Sequence, residues 1–494
     1  MNNHHRKPHG GSRQAPSQRS RAADPKRGVA FEVLQQVRED DAYANLVLPK
    51  LLRQHRIPGR DAAFATELTY GTLRMQGSYD AIIAMASSRP FENIDGDVRD
   101  VLRLGVHQLL GMRVADHAAV AETVALARER VGIGASQFVN AVLRSVSERS
   151  LDEWLELVAP LTDDNGEALT GEPLRKALAA RYSHPLWMVR ALREALIGHG
   201  GDEAQLEDLL AQHNVPATAT FVARPGLVTK DGLAESLDNA SVPFTEGKYA
   251  HTALVSDAGS PGQVREVREA TAGVQDEGSQ FVALALTAAE PITDGETWLD
   301  LCAGPGGKSA LLAAVAKESG ACLEAVELHQ HRAELVRQTT KPSEDVVTVR
   351  VEDGREVGEY EPEKFDRVLV DAPCTGMGAL RRRPEARWRR TPDDLASLAP
   401  LQRQLLESAI EAAKPGGLVA YVTCSPHLAE TQFVVEDVMR AHKDVEQIDA
   451  RQVLTQISVE PTTREDFGAG PAAQLWPHQH GTDAMFLALL KKKA

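Results

Sequence analysis

The sequence predicts a multidomain chain: an all-α bundle, then a small α+β region, then a C-terminal α/β domain with a largely parallel sheet. Three observations predict it. The chain has 494 residues, too many for one ordinary domain and suited to about three. Apolar residues between Val98 and Val146 recur at helical spacing. From Glu296 onward, short apolar runs of strand length alternate with helical stretches, which implies parallel strands joined by helical crossovers.

In chain order, residues 1–24 are rich in His, Arg, Ser, Gly and Pro. Such a composition buries too little apolar area to offset ordering entropy, so the stretch reads as a disordered basic tail. It has the charge to touch RNA, and a plain solvated leader is the competing reading. Residues 25–150 read as the helical bundle. Pro58-Gly59 marks a turn between two early helices. Val98, Val101, Leu102, Gly105, Val106, Leu109 and Leu110 line one helical face. Val120, Val124 and Ala127 line a second, and Phe138, Val142 and Val146 a third. Residues 151–279 read as mixed, with helices over 174–179 and 187–196. Short strands are expected over 218–222 and 227–229, followed by an amphipathic stretch over 231–237. In 280–494, strands are expected over 298–301, 323–326, 346–349, 368–370 and 418–422, with helices over 309–317 and 401–413.

Composition narrows the class. There is no apolar run of about 18 residues, and no signal-peptide core, so a cytoplasmic protein is expected. The four cysteines, Cys302, Cys322, Cys374 and Cys424, form no C-x-x-C pair, so neither a zinc site nor any other metal is expected. A sparse set fits a reducing compartment better than a disulfide framework. Cys322 precedes an apolar strand and reads as plain core. The net charge of −15 argues against a surface coated for non-specific nucleic-acid binding, but a local basic groove needs only a patch.

The first chemical motif is Asp300-Leu301-Cys302-Ala303-Gly304-Pro305-Gly306-Gly307-Lys308-Ser309, which closes the first strand of the α/β domain and opens a helix. Its glycines let backbone approach a ligand, and the helix N-terminus adds a favourable dipole. A phosphate-binding P-loop would need glycine five residues before Gly307, and Cys302 stands there. A tight strand-to-helix turn without a ligand is the plainer alternative. Glu327 follows the second strand and is suited to accept hydrogen bonds from ribose hydroxyls. Asp353 follows the third and could receive an adenine amino group, or serve as a turn aspartate before Gly354. Asp371-Ala372-Pro373-Cys374 follows the fourth strand, and Thr423-Cys424-Ser425-Pro426-His427 the fifth. All these sites fall at C-terminal strand ends, the edge where open parallel sheets bind ligands.

Two cysteines on one rim suit a particular chemistry. Carbon 5 of cytosine is a poor nucleophile until a thiolate adds to carbon 6 and makes it enamine-like. A free thiol has a pKa of about 8.5, and Lys308 could lower it if the fold brings the two together. Just beyond lie Arg381-Arg382-Arg383-Pro384-Glu385-Ala386-Arg387-Trp388-Arg389-Arg390. Six arginines around a tryptophan can bind phosphates and stack on a base, which makes Arg381, Arg382, Arg383, Arg387 and Trp388 candidate RNA contacts. A solvated charged helix is the alternative.

These motifs resemble the Nop/Sun family of RNA cytosine-carbon-5 methyltransferases. The loop 302–308 resembles the family's cofactor motif, and the segments around Cys374 and Cys424 resemble its two cysteine motifs. Gln275-Asp276-Glu277-Gly278-Ser279-Gln280 is similar to the segment leading into the catalytic domain. The resemblance implies a Rossmann-like methyltransferase domain using S-adenosylmethionine. It implies that Cys424 is the nucleophile, that Cys374 assists product release, and that Cys302, Ala303, Gly304, Pro305, Gly306, Gly307, Lys308, Glu327, Asp353 and Asp371 contact the cofactor. Asp371 could also touch the cytosine. Two positions depart from the pattern: Glu327 stands where many members carry Asp, and Gly304 where bacterial members often have Ala. Both look conservative.

Gln137-Phe138-Val139-Asn140-Ala141-Val142-Leu143-Arg144 resembles a NusB-type RNA-binding domain. Tyr182-Ser183-His184-Pro185-Leu186-Trp187 resembles the family's connector before an RRM-like region. This order is similar to the bacterial Sun/RsmB type, which implies small-subunit ribosomal RNA as substrate; a monomer is expected, although no residue in the sequence signals oligomeric state. The rival class is a non-catalytic RNA-binding or antitermination factor, which has no need of both cysteines. A DNA cytosine methyltransferase would instead carry its nucleophile in a Pro-Cys motif after the fourth strand, where Cys374 stands.

Overall fold

The structure, a computed structural model, describes residues 23–257 and 261–494. The basic tail expected over 1–24 lies outside the described residues except for Ala23 and Asp24. The chain forms two compact units that divide between Asn165 and Gly166.

The first unit is all-α. Asp24 caps the opening helix, Pro25–Glu39, by accepting the Lys26 backbone N–H at 3.2 Å, and Pro25 takes the first turn, where its missing donor costs nothing. Pro58 and Gly59 separate helices Ala44–Gln54 and Gly59–Arg74, as the turn signal predicts. Helix Gly96–Leu110 follows, capped by Asp95, and its expected face is real: Val98, Val101, Leu102 and Val106 are buried in the unit's core with Val139, Val142 and Val146. Helix Leu151–Val158 differs from expectation. Although the sequence suggests a boundary at 150, Trp154 of this helix is buried in the bundle core, and its indole N–H donates to the Val146 carbonyl at 2.9 Å.

One buried charge organises this unit. Asp100, 1% exposed, accepts from Arg38 Nε at 2.8 Å and Arg103 Nη1 at 3.0 Å, and Arg103 also grips Asp80. Burial pushes the Asp100 carboxyl upward despite the two guanidiniums, so the ion network offsets desolvation only while all partners are present. Asp100→Ala is expected to destabilise the unit towards the lower end of about 3–5 kcal/mol, because Arg38 is partly exposed and Arg103 keeps Asp80. Urea unfolding of the full chain followed by helical circular dichroism measures this. A loss below about 1 kcal/mol would mean that the network behaves as an ordinary surface pair.

The second unit opens with helices Gly171–Arg181, Leu186–Gly198 and Leu206–Gln212. A small antiparallel sheet follows, from β1 (Ala219–Ala223), β2 (Thr245–Glu246), β3 (Ala253–Ser256) and β4 (Ala272–Val274), in the order β2-β3-β1-β4. The strand expected over 227–229 does not form. Leu227 and Val228 both turn their backbone N–H groups to the Arg224 carbonyl at 3.1 Å after Pro225-Gly226. Thr229 instead caps helix Lys230–Asn239. The mixed region and the α/β domain, read from the sequence as separate, pack as one unit.

The large sheet holds β5 (Thr297–Asp300), β6 (Cys322–Val326), β7 (Val347–Arg350), β8 (Phe365–Asp371), β9 (Ala413–Thr423), β10 (Val445–Ile448), β11 (Ala473–Gln474) and β12 (Phe486–Lys492). Its order is β10-β12-β9-β8-β5-β6-β7, with β11 beside β12. The five strands β5 to β9 pair in parallel, while β10, β11 and β12 are antiparallel and were not foreseen. Both faces are buried. Trp298, Leu323, Leu369 and Val422 pack on one side, Leu299, Val326, Val368 and Tyr421 on the other, the period-two alternation of a two-faced sheet. Cys322, expected in the core, is instead exposed, because it is the first residue of β6 and precedes the buried stretch.

Candidate active site

The chain runs outward from β5 to β7, then returns to β5's other side with β8. The strand order therefore reverses beside β5, the place at whose C-terminal strand ends open parallel sheets bind ligands. Every candidate motif of the α/β domain lands on that edge.

The loop after β5 is fixed from below by Asp300. Its carboxylate accepts from Ser309 Oγ at 2.7 Å and from the Cys302 backbone N–H at 3.3 Å. Complete burial pushes Asp300 up to about 7. Helix Gly307–Ser319 then starts at this edge with no side chain capping its first N–H groups. Burial, with carboxylates nearby, holds Cys302 well above the ordinary thiol range, so it stays protonated and its place in the loop is that of a small neutral residue.

Glu327, at the end of β6, is 3% exposed. Its Oε2 accepts the Gly304 N–H at 3.1 Å and its Oε1 the His329 N–H at 3.0 Å. Arg332, which the sequence reading missed, pairs with Glu327 at 3.3 Å and donates to the Gly304 carbonyl at 2.5 Å. A Cβ at position 304 would lie 2.3 Å from Glu327 Oε2 and 2.9 Å from Arg332 Nε. In this chain the longer carboxylate occupies the room that an alanine at 304 would need. Ala303 is buried beneath the loop. Asp353, after β7, is held by Arg355, whose backbone N–H and guanidinium Nε both donate at 3.0 Å, which keeps its carboxyl below the usual range.

The loops after β8 and β9 meet. Cys374 Sγ lies 3.3 Å from Cys424 Sγ. The Gly378 N–H donates to the Cys424 carbonyl at 2.9 Å, an approach that only glycine permits, since a Cβ there would sit 2.8 Å from that oxygen and 2.1 Å from the Ala484 carbonyl oxygen. Lys308, its side chain 10% exposed, donates to Asp371 Oδ2 at 2.8 Å. Burial pulls Lys308 down, but Asp371 more than offsets it, and the ammonium stays charged. The two thiols are electrostatically unequal. Cys424 is drawn below the ordinary value, first by its contact with the Cys374 thiol, in which either sulfur can donate, and further by Lys308, against its burial. Cys374 is pushed well above it by the same contact and by burial. The geometry thus brings together Lys308, Asp371, Cys374 and Cys424.

The arginine run needs correction. Expected to face RNA, it is mostly an internal clamp. Arg387 is wholly buried and donates to the Ser183 and His213 carbonyls and to Asn214 Oδ1. Arg381 is buried and donates to the Gly481 carbonyl at 2.7 Å, while Arg382 bridges Asp276 and Asp483. Their guanidiniums satisfy loops that a short run of sequence cannot reveal. Only Arg383 and Trp388, of the five candidates, are exposed.

A parallel sheet that reverses at β5, with a glycine loop and acidic strand ends on one edge, is the architecture of S-adenosylmethionine-dependent methyltransferases, and here the same edge carries a thiol pair. The chain belongs to the family described as 16S rRNA methyltransferase RsmB/F, which matches residues 287–491, and the NusB family matches residues 24–148. S-adenosylmethionine is the cofactor of this family. Among relatives, the Mycobacterium tuberculosis protein Rv1407, named as a methyltransferase, is 48% identical over 96% of this chain and 98% of its own. The ribosomal RNA small subunit methyltransferase B of Vibrio cholerae is 30% identical over 89% of this chain and 92% of its own. Among solved structures, PH0851 shares the fold with a TM-score of 0.75 at 22% identity, over 96% of this chain and 100% of its own. NSun6 from Pyrococcus horikoshii does so with a TM-score of 0.50 at 17% identity, over 62% of this chain and 98% of its own.

The unequal thiols make a prediction. Cys374→Ala removes the hydrogen bond that lowers Cys424, so the pH midpoint for alkylation of Cys424 should move upward. Mass spectrometry of the Cys424 peptide after iodoacetamide pulses separates it from the exposed Cys322. A midpoint that stays put or falls would remove Cys374 as the source of that acidity.

Proposed function

We propose that this enzyme transfers a methyl group from S-adenosylmethionine to carbon 5 of a cytosine in small-subunit ribosomal RNA, through a covalent bond from Cys424 to carbon 6. The observation that carries the reading is the contact between Cys374 and Cys424, with the second made acidic beside the Lys308–Asp371 pair. A thiolate at Cys424 adds to carbon 6, and the ring's double-bond electrons make carbon 5 nucleophilic. The cofactor, when bound, supplies an electrophilic methyl group. Carbon 5 takes that methyl group and the rest of the cofactor would leave as a neutral thioether; carbon 5 then gives its proton to water, the C–H electrons re-form the ring double bond, the carbon–sulfur bond breaks, and Cys424 returns to the thiolate. Cys374 assists that release. Lys308 holds the thiolate's charge and Asp371 fixes Lys308 against the rim.

The loop 302–308, with Glu327, Asp353 and Asp371, holds the cofactor in this reading. Glu327, a carboxylate against the Gly304 backbone just past the second strand of the parallel sheet, is the group suited to a ribose. RNA is held by the NusB-like unit and, near the rim, by Arg383 and Trp388. The relatives named for ribosomal RNA methylation support the substrate class.

Two experiments test this. Denaturing gels with target RNA should show a slow protein–RNA band for Cys374→Ala, where attack proceeds but release fails, and none for Cys424→Ala, which should also lose methylation. The reverse pattern would make Cys374 the nucleophile, and no band with both variants still active would exclude covalent catalysis. For the cofactor, Gly304→Ala should weaken S-adenosylmethionine binding by about tenfold, as a loop shifted by a few tenths of an ångström misplaces its hydrogen bonds. Adding Glu327→Asp, which withdraws the carboxylate, should restore part of that affinity. Calorimetry that finds the two substitutions simply additive would break the link between them.

A further inference from the structure

Cys374 and Cys424 come from different loops, and neither strand by itself dictates that their sulfurs touch. The residue following each thiol, however, donates to one and the same carboxylate. Thr375 donates to Glu430 twice, through its backbone N–H to Oε1 at 2.7 Å and its hydroxyl to Oε2 at 2.6 Å. Ser425 donates its hydroxyl to Oε2 at 2.6 Å. Gln402, on helix Pro392–Ala412, lies 3.3 Å from Oε1 while donating to the Pro373 carbonyl at 2.8 Å. Glu430 is 0% exposed, and its own carbonyl accepts the Tyr421 hydroxyl of β9 at 2.8 Å.

We propose that Glu430 is a positioning residue that sets the separation of the two thiols. The Thr375 and Ser425 hydroxyls both reach its Oε2 and also lie 3.3 Å from each other, so one carboxyl oxygen gathers both loops. Thr375, Ser425 and Gln402 together give its side chain four hydrogen bonds. One residue of backbone separates each hydroxyl from its neighbouring cysteine, so two loops pinned to one carboxylate hold two sulfurs at one spacing. The sequence alone gives no signal for this: Glu430 is a lone acid in Leu428-Ala429-Glu430-Thr431. The inference rests on the reading of Cys424 and Cys374 as the reactive pair, and its test separates the two.

The full chain, in a Cys322→Ser background, is equilibrated with a glutathione redox buffer. Cys374 and Cys424 together lose two electrons and two protons to form a disulfide, while one glutathione disulfide takes them up to give two glutathione molecules. The equilibrium constant is the effective concentration of one thiol at the other, whether or not either is catalytic. Glu430→Gln puts an amide N–H2 where a carboxylate oxygen accepted. Effective concentration should fall at least about tenfold, and kcat should fall with it at unchanged KM for S-adenosylmethionine. An unchanged effective concentration overturns the proposal, whatever the turnover. A lowered one with unchanged turnover overturns the thiol pair's catalytic role instead, and with it the use of the spacing. If Glu430→Gln does not fold, Ser425→Ala, which deletes a single donor, decides by the same two readouts.

Discussion

Parallel strands all end on the same edge of their sheet, and this enzyme depends on that constraint. Once β5 to β9 run in parallel with both faces buried, the loops carrying Lys308, Glu327, Asp371, Cys374 and Cys424 have only one rim to occupy. The reversal beside β5 then marks where on that rim a ligand binds in such sheets. What remains for individual side chains is fine adjustment: Asp300 under the glycine loop, Lys308 against Asp371, and the thiols against each other.

Where a motif has both a residue type and a strand end to mark it, the sequence was legible. The five parallel strands lie where apolar runs were read, and the helical face around Val101 is a core face. Polar contacts between distant segments were not legible, because nothing local signals them. Arg382 is a clamp because Asp276 and Asp483 lie beside it, a hundred residues away in each direction. Glu430 and Arg332 were invisible for the same reason. Antiparallel β12 needs no crossover helix, so it left no alternating pattern to find. Cys322 was misread because an apolar strand is buried along its middle and not necessarily at its first residue.

Charge tells a related story. A protein with net charge −15 that handles RNA needs its cations placed with care. Much of the densest arginine cluster is committed to internal carbonyls and carboxylates, so it cements the connector to the catalytic loops rather than coating the surface. Sequence clusters of arginine report on phosphate binding only when the guanidiniums reach solvent.

The position of β12 bears on how the enzyme is made. This strand sits between β9 and β10 although it follows both in the chain. As the polypeptide leaves the ribosome, β9 and its Cys424 emerge with one edge unpaired, and remain so until residues 486–492 arrive. An unpaired apolar edge is a target for chaperones and for other nascent chains. β12 thus seals the open edge of the strand that leads into Cys424, and the rim takes its working shape only when that seal closes.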